Sequence, residues 1–272
     1  MKQFHRQRQM IGRKAPILSQ KHYHQPTIFE PSSLLREARR QKLLPDCDVP
    51  SVCVLDPDGD LSRHLKKNGA RLHPGWACYH TEMHELTTGG VTVGVVGCAV
   101  GSSFAVLVAE QLFASGCRLL ISVTSAGQLV EINSPPYFIL IDRALRDEGT
   151  SYHYLPPGEY ARMRPEVEPL TECILNMSPP VHRGGTWTTD APYRETAEAI
   201  AFAKTENLLA VEMEAAALYA FAEARGKDVI CIAHVTNCMA TAEIDFEKGH
   251  DNGNAALIRL IASITRASES RQ

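Results

Sequence analysis

The sequence predicts one α/β domain whose mixed, mostly parallel central sheet is flanked by helices. Three observations predict it. The chain has 272 residues, of which 44% are hydrophobic and 22% charged, a balance that suits a globular domain with a sizeable core. Short apolar runs of strand character alternate with stretches of helical periodicity from about residue 50 onward. The run Arg118–Val123 is apolar on both faces, as strands of a parallel sheet covered by helices are. No internal repeat and no low-complexity segment interrupts the alternation. No stretch approaches the roughly 20 apolar residues of a membrane span. The basic, polar start Met1–Arg6 has no apolar run behind it, so no secretory signal is expected.

Residues 1–30 have no clear period and read as an extended arm. Pro31-Ser32-Ser33 opens a helix to about Lys42, with the serines suited to capping it. Ser51–Leu55 is a short apolar strand that runs into the turn Asp56-Pro57-Asp58-Gly59-Asp60. Leu61–Asn68 is helical. His84–Thr87 and Val91–Gly97 form a hairpin around Gly89-Gly90. Phe104, Leu107, Val108 and Leu112 share one face of the next helix, which Gly116 ends. After Arg118–Val123, Tyr137–Ile141 is another strand, residues 145–165 are a Pro-rich loop, and Pro165–Met177 is a helix. Gly185–Thr189 and Leu208–Val211 are strands on either side of a helix at Thr196–Lys204. Glu214–Arg225 is an Ala-rich helix stopped by Gly226. Asp228–Val235 is a strand, and the helix Ala256–Ala267 sets Leu257, Leu260, Ile261 and Ile264 on one face.

The chain thus divides into an arm with a short helix, 1–45, and an α/β domain, 46–272. Charge follows the same boundary. The net charge is −3, yet residues 1–45 hold ten Lys/Arg against two Glu, which leaves the remainder strongly acidic. An acidic body argues against nucleic acid as a partner, because neutralising phosphates supplies most of that affinity. The arm is expected to be solvated or to contact a neighbouring subunit. None of the eight cysteines pairs as C-x-x-C, and several sit in apolar runs such as Ile230-Cys231-Ile232. They read as small buried hydrophobes of a reducing, cytoplasmic protein, with no zinc cluster. His80 and His84 lack the Glu placement of H-E-x-x-H and read as ordinary surface or core histidines. Gly94, Gly97 and Gly101 fit neither G-x-G-x-x-G nor a P-loop. Gly101–Ala105 is not a G-x-S-x-G elbow, and reads as a tight strand-to-helix turn.

Three segments matter together: Ser122–Leu129 (SVTSAGQL), Trp187–Tyr193 (WTTDAPY) and Val211–Ala216 (VEMEAA). The last lies where an apolar strand meets a helix, and α/β sheets place ligands at the C-terminal ends of their strands. Taken alone, a Glu at a helix start is a favourable partner of the helix dipole. In this order and spacing, the three segments resemble the nucleoside phosphorylase superfamily. That superfamily includes purine nucleoside phosphorylases of the hexameric type, uridine phosphorylases and methylthioadenosine-type nucleosidases. The resemblance covers about residues 50–266, and Val211-Glu212-Met213-Glu214-Ala215 is its most specific element.

By that resemblance Glu214 would hold the ribose 2′- and 3′-hydroxyls, with Glu212 beside it and Met213 packed beneath the sugar. Breaking an N-glycosidic bond builds positive charge on the ribose, which a fixed carboxylate favours. Thr124 and Ser125 would offer hydroxyls and N–H groups to the nucleophile, Tyr193 would wall the base pocket, and Asn237 would contact the base. No metal or organic cofactor is implied. The family forms dimers or rings of dimers, which implies a homodimer or hexamer here. A neighbour's N-terminal His22 or His24 would reach the ribose.

The departures from the phosphorylase pattern point to water. The loop Asp56-Pro57-Asp58-Gly59-Asp60 has no Arg at the place expected from the family's Gly-Asp-x-x-Arg, and Ser122 stands where phosphorylases carry a second Arg. Ser125-Ala126-Gly127 is similar to the nucleosidase branch. An acidic loop should repel phosphate, while Asp58 or Asp60 could take a proton from water. Arg63, Arg71 or Arg183 remain as alternative phosphate ligands. Arg194-Glu195-Thr196 follows Tyr193, so the uracil clamp of the uridine branch is absent or shortened. Asn237 can donate to a base nitrogen that gains negative charge, which suits a 6-oxopurine better than adenine. The expected function is hydrolytic cleavage of a nucleoside. Phosphorolysis is the alternative, and nucleoside binding without turnover a further one.

Overall fold

The computed structural model describes residues 15–238 and 248–271. Among them, one sheet is built from β1 (Val52–Asp56), β2 (Met83–Thr88), β3 (Val91–Gly97), β4 (Leu119–Gln128), β5 (Tyr137–Asp147), β6 (Tyr160–Arg162), β7 (Val181–Thr189), β8 (Leu208–Glu212) and β9 (Asp228–Cys238). Their order is β2-β3-β1-β4-β8-β7-β5-β6, and β9 pairs with both β4 and β5. Strands β4, β9, β5, β7 and β8 therefore pair in a closed ring. The β1, β3 and β2 strands extend outward from β4, and β6 from β5.

The sheet is mixed. Parallel pairs are β1–β3, β1–β4, β4–β9, β5–β7 and β7–β8. Antiparallel pairs are β2–β3, β4–β8, β5–β6 and β5–β9. As the apolar run predicts, Leu119, Leu120, Ile121 and Val123 are all buried.

Among the described residues, six α-helices flank the sheet: α1 (Pro31–Lys42), α2 (Asp60–Lys67), α3 (Ser102–Ala114), α4 (Ala197–Thr205), α5 (Ala215–Arg225) and α6 (Asn254–Glu269). The alanines of α5 let its first two turns sink into the core, so that every residue from Ala215 to Ala222 is buried. Gly226 ends it at φ 60°, a left-handed conformation that glycine adopts without a Cβ clash. Tyr219 of α5 donates its hydroxyl to the Ile141 carbonyl and accepts the Cys231 N–H at 3.1 Å, which fastens the helix to β5 and β9.

Several expectations need correction. The α1 helix begins at Pro31 itself, with Glu30 at the N-cap and no side-chain cap. Proline's fixed φ suits the first helical position, so the serines fall inside the helix. In α3, Leu107 is 41% exposed, and the inward face is Ala105, Val108, Ala109 and Leu112. Residues 145–165 are only partly loop, because β5 continues to Asp147 and β6 follows. Pro165–Met177 is not an α-helix but two short 3-10 turns, Pro165–Leu170 and Glu172–Ile174. Pro169 lacks the N–H that a continuous helix would use there. His84 lies buried on β2 and His80 is exposed, and no group of three metal-ligating side chains occurs among the described residues.

The described part of the arm lies on its own chain. Lys21 Nζ is 2.9 Å from His153 Nδ1, and the Tyr23 hydroxyl donates to the Tyr152 carbonyl at 3.3 Å. No helix among the described residues is long and apolar enough to cross a membrane.

Candidate active site

The site forms where the ends of β1, β4, β8 and β9 meet. Gly127 of β4 lies opposite Val211 of β8 and Asn237 of β9, which brings the three sequence segments and Asn237 to one end of the ring. Asn237 is buried there.

The two glutamates of VEMEA have different tasks. Glu212 is buried and saturated. Its Oε1 accepts from the hydroxyls of Thr186, at 3.1 Å, and Thr188. Its Oε2 accepts the N–H groups of Glu214 and Ala215, both at 2.7 Å. Those N–H groups belong to the first turn of α5, which has no intrahelical acceptors for them. Thr188 Oγ1 also accepts the Ala216 N–H at 3.0 Å. Glu212 is thus the cap that joins α5 to β7, and it has no acceptor capacity left for a ligand. This corrects its expected place among the substrate-binding residues. Burial pushes its pKa up, against these hydrogen bonds.

Glu214, at the N-cap of α5, is 1% exposed and half satisfied. Its Oε1 accepts the Gly101 N–H at 2.7 Å. Its Oε2 is buried with no hydrogen-bond partner among the described residues. Ser102 Oγ donates to the Met213 carbonyl at 2.7 Å, so the Gly101–Ser102 turn grips both residues. That turn, which the sequence offers only as a structural bend, is therefore part of the site. Gly101 sits at φ 88°, where a side chain would be strained. Burial, followed by the nearby Glu212 charge, raises the Glu214 pKa to about 8, and Thr124 pulls in the other direction. Met213 is half-buried.

Across from Glu214, Asp58 is half-buried and its Oδ2 accepts the Ser125 N–H at 2.7 Å. Its other oxygen takes no hydrogen bond from the described residues. Thr124 is buried, and its hydroxyl donates to the Ser125 carbonyl at 3.3 Å. Asp56 is buried beneath the loop, accepts the Ser62 N–H at 2.8 Å, and has its pKa raised to about 6, chiefly by burial.

Asp60 differs from Asp58. It accepts from Arg63 at 2.9 Å, from Lys248 at 2.5 Å and from Asn252 at 3.3 Å. Burial alone would raise its pKa, but the Lys248 and Arg63 bonds outweigh burial and lower it. Held by two cations, Asp60 is a poorer proton acceptor than a free carboxylate.

Arg63 also corrects the reading of the loop. Followed past Asp60, the sequence is Gly59-Asp60-Leu61-Ser62-Arg63, so a Gly-Asp-x-x-Arg pattern is present. The guanidinium donates to the Asp58 carbonyl at 2.7 Å as well as to Asp60. Ser122, at the second Arg position, is buried with an unpartnered hydroxyl among the described residues.

Two expected residues lie elsewhere. Tyr193 is 99% exposed on a short turn after β7. His24 is exposed on the arm. One residue went unnoticed in the sequence: His234 of β9 lies opposite Ser125 in register. Its ring stacks on Phe138 at 4.8 Å, and burial, then Lys248, lowers its pKa to about 4. Its alternation with Thr236 on a buried strand was the available signal.

A sequence model of the phosphorylase superfamily matches residues 49–268. The chain belongs to that superfamily. Its superfamily relatives include the guanosine phosphorylase of Halorubrum lacusprofundi, 28% identical over 140 residues, or 50% of this chain and 57% of that protein. The chain thus spans a little over half the length of that relative. Uridine phosphorylase from Vibrio fischeri superposes with a TM-score of 0.67 at 18% identity, over 86% of this chain and 99% of the other. AMP nucleosidase from Bacteroides thetaiotaomicron superposes with a TM-score of 0.65 at 18% identity, over 84% and 92%. A uridine phosphorylase and an AMP nucleosidase thus share this fold.

Proposed function

We propose that this superfamily member is an enzyme that cleaves the N-glycosidic bond of a nucleoside, with water as the nucleophile. Glu214 Oε2, buried and unpartnered among the described residues, would accept the ribose 2′- and 3′-hydroxyls. Those donors favour the ionised carboxylate, which then stabilises the positive charge that grows on the ribose as the bond breaks. Met213, half-buried beside it, would pack beneath the sugar. Asn237 would donate to a 6-oxopurine base as it leaves with the bonding electron pair. Thr124 and Ser125 would border the nucleophile.

The observation that favours water is the Asp58 carboxylate on the Ser125 N–H. A negative group already occupies the donor that a phosphate would need, and the acid can take a proton from water as the water attacks. A second reading, phosphorolysis, is favoured by Arg63 and Lys248, two cations that border the same loop. It also draws on the Halorubrum relative described as a guanosine phosphorylase. Product analysis with and without phosphate separates the two. Free base and free ribose at a phosphate-independent rate support hydrolysis. Ribose 1-phosphate, formed only with phosphate, establishes phosphorolysis. No turnover of any nucleoside, with binding retained, would make the protein a nucleoside-binding module.

The assembly is proposed to be a homodimer or hexamer, with His24 of the arm offered to a neighbour's ribose. No nucleic acid, membrane or cofactor enters this scheme, which belongs in the cytoplasm.

A further inference from the structure

A cavity of about 500 Å3 opens on the face of β7 turned away from Glu212. Successive strand residues point to opposite faces. Thr186 and Thr188 bond Glu212, so Trp187 between them turns the other way, where it lines this cavity with Leu145 and Ala203. Phe202 and Tyr152 add aromatic surface. Phe202 is 54% exposed although it is a large apolar side chain. The volume falls within the roughly 300–1,000 Å3 of small-molecule sites, which are mostly apolar with a few fixed polar groups. No residue of the Asp58–Glu214 site lines it.

The charged groups at this cavity are two carboxylates, Asp147 and Glu159, and one guanidinium, Arg146. The Arg146 guanidinium is committed to the Ser151 hydroxyl at 2.9 Å and to the Pro156 and Leu155 carbonyls at 2.8 and 3.2 Å. It also lies over the Tyr152 ring at 4.4 Å. Asp147 and Glu159 remain at the rim. Asp147 Oδ2 accepts the Trp187 Nε1–H at 3.0 Å. Its other oxygen, and the Glu159 carboxylate, take no hydrogen bond from the described residues. An aromatic wall beside two available carboxylates favours a cation with an apolar ring.

We propose that this cavity binds an arylalkylamine-type cation, its ring against Trp187 and Phe202 and its ammonium at Asp147 and Glu159. The site is separate from the one that would cleave nucleosides and does not rest on that reading.

The test is a calorimetric titration with 2-phenylethylamine, repeated with 2-phenylethanol and phenylacetate, which share the ring but not the charge. The amine is expected to bind, the alcohol about tenfold more weakly, and phenylacetate not at all. Asp147→Asn keeps an oxygen acceptor for Trp187 Nε1 and should weaken the amine about tenfold without affecting the alcohol. Phe202→Ala, at a half-exposed position, should weaken both. Equal affinity for amine and alcohol would overturn the proposal, as would unchanged amine binding in Asp147→Asn or no heat at millimolar amine. Assembly mass is followed in the same titration. Amine uptake only as subunits separate would assign the cavity to an interface between copies and likewise overturn the proposal.

Discussion

Glu214 accepts the Gly101 N–H at 2.7 Å across 113 residues of chain. One oxygen of the carboxylate is thereby fixed by backbone, and the second is buried and unpartnered among the described residues. Fixing one oxygen orients the other without help from a ligand. Preorganisation of this kind is what electrostatic catalysis requires.

Glu214→Ala should therefore cost turnover far more than folding. The expected loss in kcat/KM is roughly 100- to 1000-fold, or about 2.7–4 kcal/mol of transition-state stabilisation. The secondary structure should persist in circular dichroism. Undiminished turnover would remove Glu214 from the site.

The raised Glu214 pKa sets a pH dependence. The group must be ionised to stabilise a cationic ribose, so kcat/KM of the free enzyme should climb as pH rises toward about 8. The stability effect has the opposite sign. A carboxyl whose folded pKa lies above its unfolded value stabilises the fold while protonated, and that contribution is lost as pH rises from the ordinary carboxyl range through about 8. Melting temperature should thus fall over the window in which activity rises. Parallel pH series of rate and melting measure both, and Glu214→Gln should flatten the melting trend.

Glu212 predicts the reverse pattern from Glu214. Glu212→Ala strips the acceptor from two helix N–H groups and two threonine hydroxyls, all buried. A loss of about 3–5 kcal/mol of stability, as for a broken buried polar network, should show in urea denaturation. Any KM change should follow loss of structure.

The two loop acids should separate cleanly. Asp58→Asn should lower the hydrolytic rate by about 100- to 10,000-fold, the usual worth of a general base. Asp60→Asn, which leaves Arg63 and Lys248 without their carboxylate, should retain most of the rate. Equal losses in the two variants would remove the distinction drawn here.

The arm is testable by deletion. Removing residues 1–30 takes away the Lys21–His153 and Tyr23–Tyr152 contacts and the exposed Ile28 and Phe29. Assembly mass or activity should change, as light scattering and rate would show. Salt-resistant duplex DNA binding that disappears on deletion would assign the arm to nucleic acid instead.

Much of this was legible in the residues because it is local. Arg118–Val123 could only be a buried strand, and VEMEA at a strand–helix junction marked the site. What the sequence hides is which partner each side chain finds. Glu212 and Glu214 look equivalent two positions apart, yet one turns toward Thr186 and Thr188 and the other toward Gly101, choices made by strands far away in sequence. Asp58 and Asp60 likewise differ through distant partners, Ser125 for the first and Lys248, from beyond β9, for the second. The Pro165–Met177 segment differs from its expected helix for a local reason, since Pro169 interrupts it.

The ring of β4, β9, β5, β7 and β8 has a consequence for how the chain is made. Its last member, β9, is also the last strand in sequence among the described residues, and it pairs with β4 and β5, the first two ring strands. Until β9 is synthesised, β4 and β5 each present an unmatched hydrogen-bonding edge, the kind of surface that invites association with the wrong partner. A nascent chain that stops before residue 228 would carry most of the active-site side chains in an open, adhesive sheet. A complete candidate site and protection from aggregation thus arrive together, when a single late strand slots between two early ones.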